Sequence, residues 1–357
     1  MSEKYQRRFD VDADGTIHVG AFQLPLSVAL SPEARMAQIN GLTKPRLGLP
    51  SLAGITNEAE FIALVDKFRH DVDSTLIAPL SQMLASAFPV AIRADKIAGV
   101  PVEEFTPEAQ TNEQRVLINL HGGAFFSGAI FVSRTESIPV AHLGKIKVVS
   151  LDYRQGYEHK YPAATEDVVA VYLELLKTYR PENIGIYGGS AGAMLTAQAV
   201  AWLLDKGLPA PGAIGVFGCG AGGSGDSIFF SKIGSAEMPP TLGTDEGPMA
   251  LVSAGGFGYF SDVAADNYLA FPQQAPRELL AQFPPTLLIS ATRAFDMSPA
   301  IAFHRALVRA GVDDASLHIF DGLGHCFYYN AWLPEARDAY DTIIRFFNRH
   351  LGKPAKK

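Results

Sequence analysis

From about residue 113 onward, compact apolar runs alternate with stretches of helical periodicity, and that alternation leaves few architectures open. The runs lie at 115–120, 147–153, 184–188, 213–217, 286–290 and 317–320, and the last four are bounded on at least one side by Gly, Pro or Asp. Short, continuously apolar runs suit strands covered on both faces. Helical patterns fall at 165–179, 191–205, 299–310 and 335–350; in the first, Val168, Val169, Tyr172, Leu175 and Leu176 share one face. Strand–helix alternation predicts an α/β domain with a mostly parallel central sheet and helices on both faces. Just ahead of it, 95–98 and 102–106 around Gly99-Val100-Pro101 read as an antiparallel opening hairpin.

Residues 1–95 follow another pattern. Helical periodicity at 31–40 and 57–84, with Asn57 and Glu60 in capping-box spacing, comes without strands between. Its apolar surface needs a partner, so 1–95 is expected to be a helical cap over a catalytic domain at 96–357. The Gly- and Pro-rich stretch 218–283 is too long for an ordinary loop and is expected to add helices to the rim of a site.

Composition narrows the function. With 48% hydrophobic residues in 357, the chain has ample material for a core. Thirty Lys and Arg against 37 Asp and Glu give −7, and the basic runs are no longer than the pairs Arg7-Arg8 and Lys356-Lys357. Nucleic acid and anionic membrane surfaces call for a basic face, so neither is an expected partner. Two cysteines, Cys219 and Cys326, exclude a disulfide framework and are too few for a cysteine zinc site, so no metal is expected. No apolar leader follows the N-terminal Arg7-Arg8 pair, and no run of about 18 apolar residues escapes charge, so the expectation is a cytoplasmic protein without a membrane span.

The sharpest chemical feature is Gly188-Gly189-Ser190-Ala191-Gly192, directly after the run at 184–188 and directly before an Ala-rich helix. A nucleophile elbow needs this strand–turn–helix context. The cramped turn requires small residues two positions either side of the serine, and Gly188 and Gly192 meet that need. His121-Gly122-Gly123-Ala124 follows the run at 115–120. Backbone N–H groups of Gly122, Gly123 and Ala124, together with that of Ala191, are candidates for stabilising an oxyanion. A serine needs a base, and His325, bracketed by glycines in the loop after 317–320, is the candidate. Asp296, in the loop after 286–290, is the carboxylate expected to orient it, with Asp321 as the fallback. Phe125, Phe126, Phe229 and Phe230 could line an acyl pocket or simply fill the core.

These residues resemble the hormone-sensitive-lipase family (bacterial family IV) of α/β-hydrolase esterases. The likeness runs from about residue 100 onward and includes His121-Gly122-Gly123, Asp152-Tyr153-Arg154 followed by Glu158-His159-Lys160-Tyr161-Pro162-Ala163-Ala164, the turn at Ser190, and Gly324-His325-Cys326-Phe327. It implies the α/β-hydrolase fold and a Ser190–His325–Asp triad hydrolysing short- to medium-chain acyl esters, and it allows a dimer joined through the sheet edge. Three departures stand out. Ala124 replaces a third Gly, Gly189 stands where the family usually has Asp or Thr, and Asp296 lies two positions beyond the usual place of the acid.

Other readings are a lactonase or amidase on the same machinery, or a non-catalytic binding protein on the same scaffold. Gly218 to Gly223 formally fits G-x-G-x-x-G, but no helix opens at its last glycine, so no dinucleotide or other cofactor is expected.

Overall fold

The computed structural model describes residues 10–18, 20, 23–43, 57–109, 114–222, 225–227, 231 and 258–352. Eight strands form one sheet: β1 Val90–Ile97, β2 Val100–Pro107, β3 Val116–Leu120, β4 Lys147–Leu151, β5 Ile184–Gly189, β6 Ala213–Phe217, β7 Thr286–Ala291 and β8 Ala315–Phe320. Their spatial order is β1-β2-β4-β3-β5-β6-β7-β8. β2 runs antiparallel to β1 and to β4, and all other pairs are parallel. The expected mostly parallel sheet is therefore present.

Alternation along each strand sends side chains to two separate cores. Val116, Ile118, Ile186, Val216 and Leu288 pack against helices Ala163–Leu175, Ala191–Asp205 and Met297–Ala310. Leu117, Val148, Tyr187, Phe217 and Ile289 pack against helices Phe131–Gly144 and Pro334–His350. Both faces are thus covered, which is why β3, β5, β6 and β7 read as predominantly apolar runs with every position buried.

Three expectations need correction. The opening hairpin is longer than 95–106 and turns at Ala98-Gly99, both at positive φ (50° and 85°), the geometry a two-residue hairpin loop requires. Its first strand therefore runs through the boundary placed at residue 95. The helix expected over 57–84 is divided into Glu58–Val72, a π-helical turn Asp73–Ile77 and Ala78–Ala87. Pro79 explains the division: its ring cannot sit over a regular preceding turn, and the wider π turn gives it room. Helix Phe131–Gly144 was not among the expected helices.

The N-terminal residues pack in two places. Asn57 caps its helix by accepting the Glu60 N–H at 3.0 Å, and Arg69 of that helix donates to the Phe126 carbonyl at 2.5 Å and to Glu158 at 2.8 Å. The earlier stretch lies over the C-terminal loops. Ser31 binds Glu335 through its N–H at 2.7 Å, Arg293 donates to the Pro25 carbonyl at 2.6 Å, and Ser27 donates to Asp321. Of the stretch at 218–283, residues 223–224, 228–230 and 232–257, including Phe229 and Phe230, lie outside the described residues. The described remainder holds the short helix Arg277–Leu280.

Candidate active site

Ser190 sits on the turn between β5 and helix Ala191–Asp205 at φ 54°, ψ −119°, a conformation an L-residue adopts only when its surroundings force it. Here the surroundings are the ends of two strands. A Cβ at Gly188 would lie 2.3 Å from the Leu120 carbonyl oxygen, and one at Gly192 only 1.7 Å from it. The flanking glycines are thus a steric requirement of the elbow. Gly192→Ala is expected to destabilise the fold by about 3 kcal/mol or more, read by chemical denaturation, because backbone must move to admit the methyl group.

The loop after β3 lies against this turn: the Cβ position of Gly122 is 3.2 Å from Ser190 Cβ. Gly123, Ala124 and Phe125 all take positive φ (119°, 51°, 59°), and the Gly123 carbonyl accepts the N–H groups of Phe126 and Ser127, both at 3.0 Å. The loop is braced from behind by the Asp152-Tyr153-Arg154 stretch. The Tyr153 hydroxyl donates to the His121 carbonyl at 2.7 Å, and Arg154 is held by Asp167 at 2.9 Å. The His121 ring is buried flat against Tyr153, and burial lowers its pKa to about 4. It is a neutral structural ring.

Among the described residues, the N–H groups of Gly123, Ala124 and Ala191 meet no hydrogen-bond acceptor. Gly122 is different. Its N–H is donated to Glu136 at 3.0 Å, so it points away from the turn, and Gly122 is struck from the candidate oxyanion donors.

His325 and Asp296 come together with Ser190. His325 Nε2 lies 3.0 Å from Ser190 Oγ, and Nδ1 lies 2.5 Å from Asp296 Oδ2. The other Asp296 oxygen accepts the Ser290 hydroxyl at 2.5 Å, and the carboxylate is 1% exposed. The turn Ala294–Asp296 places this carboxylate at the ring although it lies two positions late in sequence, and Phe295 packs against the imidazole at a tilt of 37°, ring centroids 4.5 Å apart. Asp321, the fallback, accepts instead from Thr292 at 3.0 Å and from Ser27. Burial works to lower the proton affinity of His325, but the Cys326 sulfur and the Asp296 carboxylate outweigh it and raise the pKa above the ordinary histidine value.

The remaining candidates are packing groups. Cys219 is half-buried, and loss of hydration pushes its thiol up to about 12, so it is no thiolate. Cys326 is buried with its sulfur 3.5 Å from His325 Nε2 and 3.5 Å from the Tyr328 hydroxyl. Phe125 lies flat on Tyr259 at 4.8 Å and Phe126 on Phe68 at 5.7 Å, which makes both core residues. In the G-x-G-x-x-G stretch, Gly220 is small because Pro299 abuts it: an added Cβ would lie 2.3 Å from that carbonyl oxygen. Among the described residues no cluster of His, Cys, Asp and Glu could hold a metal ion, and no helix is long and apolar enough to cross a membrane.

Sequence reasoning missed Glu136. Its carboxylate, 3% exposed, lies where a side chain at position 189 would begin: a Cβ at Gly189 would be 2.5 Å from Glu136 Oε1. The acid thus occupies the space of the polar side chain that Gly189 lacks. Burial raises the Glu136 pKa, opposed by its hydrogen-bond donors, Tyr329 foremost.

The chain matches the family described as alpha/beta hydrolase fold over residues 117–329. It belongs to that family. Among relatives, it is similar to an esterase of Acinetobacter venetianus, 28% identical over 76% of this chain and 87% of the relative. It is also similar to an acetyl esterase of Salmonella schwarzengrund, 26% identical over 69% of this chain and 75% of the relative. Among solved structures, an esterase from the bacterial hormone-sensitive lipase family superposes with TM-score 0.67 at 25% identity, covering 83% of this α/β-hydrolase and all (100%) of the other chain. The hormone-sensitive-lipase resemblance of the sequence therefore extends to the three-dimensional structure of this α/β-hydrolase.

Proposed function

We propose that this α/β-hydrolase is a serine carboxylesterase acting on short- to medium-chain acyl esters. One observation carries the reading: Ser190 Oγ lies 3.0 Å from an imidazole whose other nitrogen is held by a buried carboxylate. A binding protein on this scaffold would have no use for a strained serine in proton-transfer reach of a raised-pKa histidine.

His325 accepts the Ser190 proton as Oγ attacks the ester carbonyl carbon. The tetrahedral oxyanion is received by the N–H groups of Gly123, Ala124 and Ala191. Asp296 fixes the tautomer, with Nδ1 protonated, and stabilises the imidazolium. Collapse breaks the C–O bond, His325 protonates the departing alcohol, and an acyl-Ser190 ester remains. Water, deprotonated by His325, then attacks this ester, and the carboxylic acid leaves as the proton returns to Ser190. The acetyl esterase among the relatives supports a short acyl group.

A graded panel of p-nitrophenyl esters from acetate to decanoate, run beside a lactone and an anilide, tests the reading. The expected result is highest kcat/KM among the short esters, with covalent capture of Ser190 by an organophosphonate seen by peptide mass spectrometry. A preference for the lactone or anilide, or capture at another residue, would overturn it.

A further inference from the structure

A single buried carboxylate joins the segments that carry the donors, the nucleophile and the base. Glu136 Oε1 accepts the Gly122 N–H at 3.0 Å and the Tyr329 hydroxyl at 2.5 Å. Glu136 Oε2 accepts the Asn119 amide at 2.8 Å and the Gly189 N–H at 3.3 Å. Asn119 lies on β3, Gly122 opens the donor loop, Gly189 immediately precedes Ser190, and Tyr329 follows His325 by four positions. A carboxylate offers about four acceptor sites, and all are filled by donors from outside its own helix. Removing an anion from water is costly unless each lone pair is met, so this complete set marks a built arrangement.

We propose that Glu136 is a positioning residue for ester hydrolysis, holding the oxyanion-donor loop and the nucleophile turn in register. The proposal rests on the serine-esterase reading. Binding the Gly122 N–H turns that group away from Ser190, leaving the following N–H groups, those of Gly123 and Ala124, for substrate. Binding the Gly189 N–H with the other oxygen fixes the start of the elbow to the same rigid group. Gly122 and Ser190 are in direct contact, the Cβ position of the former 3.2 Å from Cβ of the latter, so a slip at either displaces both.

Glu136→Gln keeps the shape but exchanges one acceptor for an NH2 that faces donors, leaving Gly122 or Gly189 without its partner. The expected result is a loss of about a hundredfold in kcat, as misplacement of reacting groups by about an ångström produces. KM should stay within about threefold, because ground-state binding does not use the oxyanion donors. Affinity for a trifluoromethyl ketone, whose carbonyl carbon adds Ser190 Oγ reversibly to give an oxyanion in the same place, should fall in parallel with kcat. Loss of thermal stability with kcat and ketone affinity unchanged would make Glu136 a structural residue only and overturn the proposal. Should Glu136→Gln fail to fold, Tyr329→Phe removes one donor and no backbone contact. It is expected to lower kcat and ketone affinity together by about fifteenfold, within the range for one hydrogen bond to a charged group, and an unchanged kcat overturns the proposal. Ser190→Ala is assayed alongside; if that variant still turns over esters, it is the serine-esterase reading that fails.

Discussion

Ser190→Ala is expected to lower kcat on p-nitrophenyl acetate by about six orders of magnitude, the loss seen when a triad serine is removed. The only hydrogen bond made by the Ser190 hydroxyl among the described residues is to His325, so the unfolding midpoint should stay close to that of the parent. Alanine accepts the φ of 54° no better and no worse than serine, so the turn itself is undisturbed. Binding of a non-hydrolysable ester analogue should survive. Retained turnover on a correctly folded variant would remove Ser190 from the mechanism and with it the reading of the whole site.

Asp296→Asn should cost on the order of 10⁴ in kcat, because the amide can no longer hold the imidazole in the tautomer that leaves Nε2 free to accept a proton. A second consequence follows from charge. His325 works as a base only when neutral, so kcat/KM falls as pH drops through its pKa, which in the parent lies above the ordinary histidine value, burial being outweighed by Cys326 and Asp296. Removing the Asp296 anion takes away one raising influence, so the residual activity should show its acid limb at lower pH. Asp321→Asn is expected to leave both rate and pH profile unchanged, since that carboxylate is engaged by Ser27 and Thr292. A pH–rate series on the three proteins decides the matter; the reverse pattern would move the acid to Asp321.

The parts of this molecule that were legible in its sequence are those where sterics or burial leave no latitude. The elbow could be read because only glycine fits against the Leu120 carbonyl at positions 188 and 192. Strands β3, β5, β6 and β7 are legible because burial on both faces demands predominantly apolar runs. The first half of the first hairpin strand is hard to read because it lies at the sheet edge, where the exposed positions include Ala91, Arg93 and Ala94 and the apolar signal fades. Helix Phe131–Gly144 was missed because it contains Pro139 and the polar run Ser133 to Ser137, which resembles a loop until the surrounding core is seen to bury it. Glu136 was hidden with it. Gly122 looks like any other oxyanion donor in sequence, because a sequence gives the number of N–H groups in a loop but not the direction in which each one points.

The stretch at residues 23–35, held to Asp321, Arg293 and Glu335, has a practical side. Two of these anchors, Arg293 and Asp321, sit in the very segments that bear the acid and the base, and Ser27 presses on Gly322, three positions before His325. Someone engineering this chain, for immobilisation or for a shorter gene, will be tempted to trim its front end as a dispensable leader. Cutting past residue 23 would unclamp the histidine loop from its outer side, so tags and fusions are better joined ahead of that point or at the far terminus.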